Sequence, residues 1–378
     1  MELTKCKLGE LITQRREKND GSDLPICGVS KDGLIPPKQI DADTSIYNVF
    51  YRDDFIFNPA RMELNSIAIN DKYDRAICSS LYEVFFVHRT DLLLPHYLKL
   101  IVKQKWFTRY CEFLGQGSAR EYCRFNNISE IEIEFPSIEE QQKIIDYYAT
   151  LQNRIELKKQ INDNLVESLS AVYKELFSDA EAQYPKVPLQ KICSKIGSGA
   201  TPKGGKTAYI NEGISLIRST NVFDFRFEYS DLAHINQNQA DALANVTVEP
   251  NDVLFNITGV SVARCCMVPD DVLPARVNQH VMIVRPTKGE NVSYYIMFTL
   301  CSADNKAKLL GIGQSGSTRE AINKQELESF EIPFPDDNAI NKFGEAAKRV
   351  YEHIHCNVKE IHALEDMKTV LLAQLSSR

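Results

Sequence analysis

The sequence predicts a mixed α/β (α+β) protein built from two tandem copies of one domain, each followed by a long coiled-coil helix. An apolar repeat with a period near 3.5 residues runs through residues 137–180 and recurs through residues 336–378. Short sequence motifs beside both helices recur at one offset, 199 residues apart. Solenoid repeats have periods of roughly 20–50 residues, so this offset indicates a duplicated domain.

The first long helix is predicted to begin after Ser137, which with Glu140 forms the signature of a capping box. Neither glycine nor proline follows until Pro185. At the rise of an α-helix the segment is roughly 60 Å long, as expected of a coiled-coil strut. The apolar seam consists of Ile144, Tyr148, Leu151, Ile155, Leu165, Leu169, Val172 and Leu176.

The second copy follows the first at the same offset. Residues 135–136 (Phe-Pro) match residues 334–335, and residues 120–121 (Arg-Glu) match residues 319–320. The sequence therefore divides into four segments: domain 1 at 1–136, a central helix at 137–180, domain 2 at 181–335 and a C-terminal helix at 336–378.

Within domain 1, residues 8–17 predict a short helix, and residues 95–113 predict one basic amphipathic helix before a glycine loop. Runs of β-branched and aromatic residues predict strands at 25–29, 55–57, 66–69, 81–87 and 131–135. Domain 2 repeats the plan with small insertions.

Composition narrows the class of protein. A hydrophobic content of 43% suits ordinary soluble cores, and no apolar run approaches membrane-spanning length. Ten cysteines without a Cys-x-x-Cys pair predict free thiols in a reducing cytoplasm. His353 and His355 would point to different faces of a helix, so no metal site is predicted. The net charge of −7 argues mildly against general polyanion binding, so DNA affinity would need local basic patches.

Several short motifs, taken in their order along the chain, resemble those of a known family. They are FIFNPARM at 55–62, FPSIEEQQ at 135–142, GSGATP at 197–202, IRSTN at 217–221 and DVLFN at 252–256. With the duplication, they make essentially the whole chain similar to the specificity (S) subunits of Type I restriction-modification systems. The second helix departs from this pattern, because DDNAI at 336–340 replaces the Glu-Glu-Gln stretch.

The resemblance implies a non-catalytic subunit whose two target recognition domains each read one half of a split site in double-stranded DNA. The long helices would pack antiparallel with pseudo-twofold symmetry, set the gap and dock two modification (methyltransferase) subunits. Restriction (translocase/nuclease) subunits would join the complex. S-adenosylmethionine, ATP and Mg are then expected on the partners, with no cofactor in this chain.

An antiparallel pair would place the two interruptions of the first seam, Lys158 and Asn162, near Asn357. A polar layer at core positions costs stability and fixes register. One hypothesis is that these residues lock the length of the helix pair. The alternative is a loosely packed seam with solvated interruptions.

Reading of bases needs exposed donors and acceptors, mainly Arg, Lys, Asn, Gln and Ser. In domain 1 these are Asn58, Arg61, Asn65, Ser79, Ser80, Gln116, Ser118 and Arg120. In domain 2 they are Lys203, Lys206, Arg218, Asn221, Arg264, Gln279, Gln314 and Arg319. The competing interpretation of each Asn and Ser is a turn former. Arg120 and Arg319 occupy equivalent positions in the two copies. This favours a shared structural role or a phosphate contact over base discrimination.

Catalytic motifs are incomplete in this sequence. Residues 200–207 lack the first glycine and the following helix of a phosphate loop. Residues 58–61 lack the second proline and the aromatic residue of an adenine methyltransferase motif. Two alternatives stay open: a coiled-coil protein-interaction scaffold without sequence-specific DNA binding, and a complex that methylates DNA without restriction.

Overall fold

The computed structural model describes residues 3–37, 43–115, 122–202, 204–314 and 321–376. The chain forms two compact units. Unit 1 consists of Met1–Leu157 with Ile361–Arg378, and unit 2 consists of Lys158–Glu360. Each long helix therefore contributes residues to both units.

The ten strands of unit 1 form two four-stranded sheets and one two-stranded pair. The sheet orders are β2-β9-β6-β7, antiparallel throughout, and β4-β3-β8-β5, in which β3 and β8 are parallel. β1 pairs with β10, the strand that leads into the long helix. In chain order the strands are β1 Thr4–Lys7, β2 Ile12–Arg15, β3 Ile26–Ser30, β4 Gly33–Ile35, β5 Asn48–Tyr51, β6 Phe55–Phe57, β7 Ile67–Ile69, β8 Arg75–Cys78, β9 Glu83–Val87 and β10 Glu132–Phe135.

Unit 2 repeats this topology. Its sheets have the orders β12-β21-β18-β19 and β16-β13-β20-β17, and β11 pairs with β22. A hairpin of β14 and β15 is additional. The same order in both units confirms the predicted mixed α/β fold and its duplication. The strands are β11 Lys186–Pro188, β12 Cys193–Ser198, β13 Ile214–Ile217, β14 Val222–Phe223, β15 Arg226–Phe227, β16 Ala233–Ile235, β17 Thr247–Val248, β18 Val253–Asn256, β19 Cys265–Met267, β20 Ala275–Val277, β21 Val281–Pro286 and β22 Glu331–Pro333.

Eleven α-helices lie in the described part of the chain. They are α1 Pro95–Val102, α2 Lys105–Gly115, α3 Phe125–Ser129, α4 Ile138–Phe177, α5 Ala180–Gln183, α6 Leu189–Ile192, α7 Gln237–Ala242, α8 Glu290–Cys301, α9 Ala303–Gln314, α10 Lys324–Ser329 and α11 Asp337–Ser376. None of them is long and apolar enough to cross a membrane.

Two local helix predictions are wrong. Residues 8–17 form a 3₁₀ turn, Leu8–Glu10, followed by strand β2. The apolar spacing there fits a helix, but Ile12 pairs with Val87 across the sheet, so tertiary pairing overrides the local pattern. Residues 95–113 form two helices, α1 and α2, separated at Lys103 and Gln104.

The two 40-residue helices, α4 and α11, pair in antiparallel fashion within each unit. In unit 1, Leu151 and Ile155 of α4 form a buried cluster with Ile361 and Leu364 of α11. In unit 2, residues near the end of α4 pack near the start of α11. The ring centroid of Phe177 lies 5.8 Å from that of Phe343.

One detail of the predicted helix differs from the structure. Val172 is 39% exposed, and the seam continues through Tyr173 and the residue four positions on. A straight α-helix drifts by about 20° per heptad from a 3.5-residue repeat, which accounts for the shift. The helix begins where Ser137 predicts, and the carboxylate of Glu140 accepts a hydrogen bond from Lys143, at 3.2 Å.

Candidate nucleic-acid interface

One cleft in unit 1 brings together four of the residues predicted to read DNA. Asn58, Arg61, Asn65 and Ser79 all line a cavity of about 980 Å³, with strand β3 and Tyr82 on its other walls. Asn58, Arg61 and Asn65 come from the segment between β6 and β7, and Ser79 comes from the loop between β8 and β9. The structure therefore assembles a polar groove from positions that are distant in sequence.

The two asparagines in this cleft are already engaged in turns. The side-chain oxygen of Asn58 accepts a hydrogen bond from the amide of Ala60, at 3.1 Å. Asn65 adopts a left-handed conformation (φ 52°), and its side-chain amide donates to the carbonyl of Val102 and the hydroxyl of Thr108, both at 2.7 Å. For these two residues the geometry supports the turn-forming interpretation.

Arg61 and Ser79 differ from the asparagines in what they leave available. Arg61 is exposed and makes no ion pair with the described residues. The hydroxyl of Ser79 accepts from the amide of Leu81, at 3.3 Å, and keeps its own donor. Arg61 thus supplies a charged donor group to the cleft that no described carboxylate pairs with.

A second, basic pocket adjoins the cleft through Tyr82, which lines both. Its volume is about 390 Å³, and Ser80, another predicted residue, is on its wall. Arg16 and Lys18 are exposed there and hydrogen-bond only to neutral groups, such as the side-chain oxygens of Gln14 and Asn48. Arg124 also lines the pocket and pairs with Glu83 at 3.2 Å.

Sequence reasoning did not select Arg16, Lys18 or Arg124. The signal was the run Gln-Arg-Arg-Glu-Lys at 14–18, a concentration of basic residues directly after strand β2. The incorrect helix prediction for residues 8–17 hid it, because a charge run on a helix is usually a solvated face.

Cations also lie on the other side of the cleft. A pocket of about 390 Å³ there is lined by Lys31, Lys105 and Arg109 and shares Lys31, Glu63 and Asn65 with the cleft. The polar cleft is therefore bordered by basic residues on both sides. Such clustering is what phosphate neutralisation requires in a chain with a net charge of −7.

In unit 2, Arg218 and Asn221 meet at one turn. Asn221 is fully buried; its side-chain oxygen accepts from the amide of Arg218 at 3.0 Å, and its amide donates to the carbonyl of Glu228 at 2.9 Å. The guanidinium of Arg218 donates to the carbonyl of Asp231 and lies 5.6 Å from the ring centroid of Tyr209. The structure gives Asn221 a structural position instead of an exposed one.

The remaining described residues of the unit 2 set make other contacts. Arg264 packs over the ring of Phe223, 4.7 Å from its centroid. Gln279 is exposed, accepts a hydrogen bond from Thr201 and lies 2.9 Å from a ring nitrogen of His280. Gln314 is exposed at the end of α9. Gln116, Ser118, Arg120, Lys203, Arg319 and the side chain of Lys206 lie outside the described residues.

Each unit has a buried carboxylate that an arginine of its sheet neutralises. Asp54 accepts two hydrogen bonds from the Arg15 guanidinium, at 2.6 and 3.1 Å. Burial raises the pKa of Asp54, and the Arg15 hydrogen bonds oppose that rise. In unit 2, Asp252 accepts two from Arg285, at 2.7 and 2.8 Å. Both carboxylates are at most 1% exposed, so each depends on its arginine.

No group of three His, Cys, Asp or Glu side chains is placed to hold a metal ion in the part of the chain that the structure describes. All ten cysteines are free thiols, as predicted.

The polar layer predicted between the long helices is present in unit 2. The Lys158 ammonium donates to the side-chain oxygen of Asn357, and the Asn357 amide donates to that of Asn162, both at 2.8 Å. Glu360 adds an ion pair to Lys158 at 2.9 Å. The interruptions of the seam therefore form a satisfied network and are not loose solvated positions.

A duplicated α/β domain with paired coiled-coil helices, and a polar cleft bordered by cations, define a recognition protein of two repeated halves. Residues 6–167 match the model of the family described as Type I restriction modification DNA specificity domain.

Relatives with curated descriptions agree with this class. The chain is 24% identical over 305 residues to the Type I restriction enzyme MjaIX specificity subunit of Methanocaldococcus jannaschii, covering 75% of this chain and 69% of that protein. It is 26% identical over 113 residues to the HindI specificity subunit of Haemophilus influenzae, covering 29% of this chain and 24% of that protein.

The fold agrees as well. The crystal structure of a Type-I restriction-modification system S subunit from M. genitalium superposes with a TM-score of 0.57 at 14% identity, covering 99% of this chain and 96% of that one. Residues 6–167 thus match the DNA specificity domain of Type I restriction-modification systems, and the chain as a whole is similar in fold to a specificity subunit.

Proposed function

We propose that this chain is the non-catalytic sequence-reading subunit of a Type I complex, with each unit reading one half of a split DNA site. The observation that carries the proposal is the cleft of about 980 Å³ in unit 1, which has a free arginine inside and cations on both sides. Donors within a groove suit base edges, and flanking cations suit phosphates.

The charge pattern supports DNA as the target of that cleft. Double-stranded DNA carries one negative charge per about 1.7 Å of its axis, so a binding surface needs several cations in a row. Arg16 and Lys18 on one side and Lys105 and Arg109 on the other meet that need. Arg61 between them can donate two hydrogen bonds to a guanine, the commonest specific contact.

Partners are part of the same proposal. The long helices would dock two methyltransferase subunits, and restriction subunits would join them in the cytoplasm, with S-adenosylmethionine, ATP and Mg bound by those subunits. Exposed apolar side chains on the helices support docking: Tyr147 and Val370 in unit 1 are 46% and 57% exposed, and Ile161 in unit 2 is 45% exposed.

The test is to express the chain with its partner methyltransferase and to sequence the host DNA for modified bases. We expect a split motif, two short half-sites around a fixed gap. A stable complex that leaves no new methylation would favour a protein-interaction scaffold instead. A matched Arg61→Gln variant should relax one position of a single half-site.

The polar layer supports a further part of the proposal, that the helices set the gap. Lys158, Asn162 and Asn357 form a network that another register would break. Deleting seven residues from each long helix, outside this layer, should change the number of base pairs between the half-sites. An unchanged gap in the methylated motif would remove the helices as the measuring element.

A further inference from the structure

Helix α2 of unit 1 carries a basic face that nothing else in the described structure neutralises. Lys105 and Arg109 are four residues apart, so their side chains lie on one face of the helix. Both are exposed, and neither makes an ion pair with the described residues. Other lysines nearby are already paired: Lys99 on α1 binds Asp71 at 2.9 Å.

Lys103, which is half-buried, holds a third cation, Lys31, at this face. The ammonium of Lys103 donates to the carbonyl oxygens of Lys31 and Ile67, at 2.7 and 2.8 Å. It thereby holds the turn between β3 and β4 against the start of α2. Lys31, in that turn, is exposed and lines the same pocket as Lys105 and Arg109. Lys103 is a positioning residue for this surface.

The corresponding helix of unit 2 lacks this property. At the offset of 199 residues, Asp304 of α9 stands where Lys105 stands in α2, and Lys308 where Arg109 stands. Lys308 pairs with Glu181 at 2.7 Å, and Lys306 pairs with Asp224. The cations of α9 are therefore used within unit 2, whereas those of α2 are available.

Carboxylates are also present on the α2 side. Glu63 and Glu112 line the same pocket as the cations, and neither makes an ion pair with the described residues. Lys31, Lys103, Lys105 and Arg109 still outnumber them. The pocket is consequently net positive, and since its open cations are exposed, salt should screen any anion held there.

We propose that Lys31, Lys105 and Arg109 form a phosphate-contact surface through which α2 holds the DNA backbone beside the cleft of unit 1, with no counterpart on α9. This inference rests on the proposed function. It identifies residues that contribute to DNA affinity without contributing to sequence selectivity. Phosphate contacts fix position on the duplex without selecting its sequence.

The experiment measures affinity against salt for the whole complex with its methyltransferase partner, on a duplex carrying the motif that the complex methylates. The variant is Lys31→Gln/Lys105→Gln/Arg109→Gln, and the matched control is Lys306→Gln/Lys308→Gln. Loss of three phosphate contacts should reduce the slope of log K against log salt by about 2.7. The ratio of the wild-type binding constant to that of the variant should then fall roughly 40-fold between 50 and 200 mM salt.

The control should keep the wild-type slope, and the triple variant should methylate the same motif. A wild-type slope in the triple variant would overturn the phosphate surface while leaving the proposed function in place, because the motif would still be read. A changed motif would also overturn it, since the residues would then contact bases. Absence of any motif in the wild type would instead refute the proposed function. An unchanged thermal midpoint is expected for the triple variant, whose three positions are exposed, and shows that it folds. The midpoint of the control variant is measured in the same way.

Discussion

Units 1 and 2 share their strand order but neutralise the same buried carboxylate from different strands. Asp54 takes its arginine from β2, at Arg15, whereas Asp252 takes Arg285 from β21. The residue 199 positions before Arg285 is Phe86, whose ring centroid lies 4.6 Å from the Arg15 guanidinium. Both units therefore place an arginine at this depth, and the two arginines come from strands that are adjacent in the sheet.

The largest effect should come from removing that cation. Arg15→Met would leave Asp54 buried without a counter-charge, which typically costs about 3–5 kcal/mol of the free energy of unfolding. Arg285→Met should do the same to Asp252 in unit 2. Urea titration of the full chain with probes in each unit would measure both losses.

A double variant tests whether the arginine can be supplied from the other strand. Phe86→Arg in the Arg15→Met background moves the guanidinium to the strand that unit 2 uses, and it should restore most of the lost stability. If it restores none while Asp54→Asn does, the two strands are not interchangeable sources of the cation.

The helix pair shows a second contrast, an apolar layer in unit 1 and a polar layer in unit 2. Leu151→Ala in the apolar layer should cost about 2–5 kcal/mol, because truncating a buried leucine loses its transfer free energy and leaves a cavity. Leu157→Ala, at a position that is 58% exposed, is the matched control and should change the unfolding midpoint little.

In the polar layer, Asn357→Leu should cost about 1–3 kcal/mol, because it leaves Lys158 and Asn162 each without one hydrogen-bond partner. Replacing all three residues with leucine should recover stability, since matched apolar layers often equal or exceed buried polar ones. If the triple variant also keeps a single gap in the methylated motif, the layer does not determine register.

The smallest effect concerns pH. Burial lowers the pKa of Lys103 to about 8 from its ordinary value of 10.5. Between those two values the unfolded chain binds more protons at this site than the folded chain, so the Lys103 contribution to stability rises with pH. The difference in unfolding free energy between wild type and Lys103→Met should grow from pH 8 to pH 10. Parallel pH profiles would contradict the lowered pKa.

Sequence patterns predicted the elements whose periodicity is long and local. The duplication, both long helices and the Lys158–Asn357 layer follow from repeats that a packed helix pair must show. The hydrogen bonds of the layer contradict a loosely packed, solvated seam, whereas the role of the layer in fixing the length of the helix pair stays a prediction.

The candidate interface was less predictable, because it depends on which loops meet. Asn221 and Arg61 were both selected as polar residues able to contact bases, yet one is fully buried in a turn and the other is exposed in the cleft. Arg16 and Lys18 were missed because local spacing suggested a helix where pairing with β9 makes a strand. Tertiary partners, not residue types, decided these positions.

The two-stranded pairs at the base of the domains have a consequence for how such chains can change. Thr4 lies opposite Phe135 in the first pair, and Lys186 lies opposite Pro333 in the second. The first and last strands of each domain thus lie side by side, and the last strand ends where a long helix begins. We therefore expect that the segment between the two paired strands can be exchanged as one unit while the helix stays unaltered.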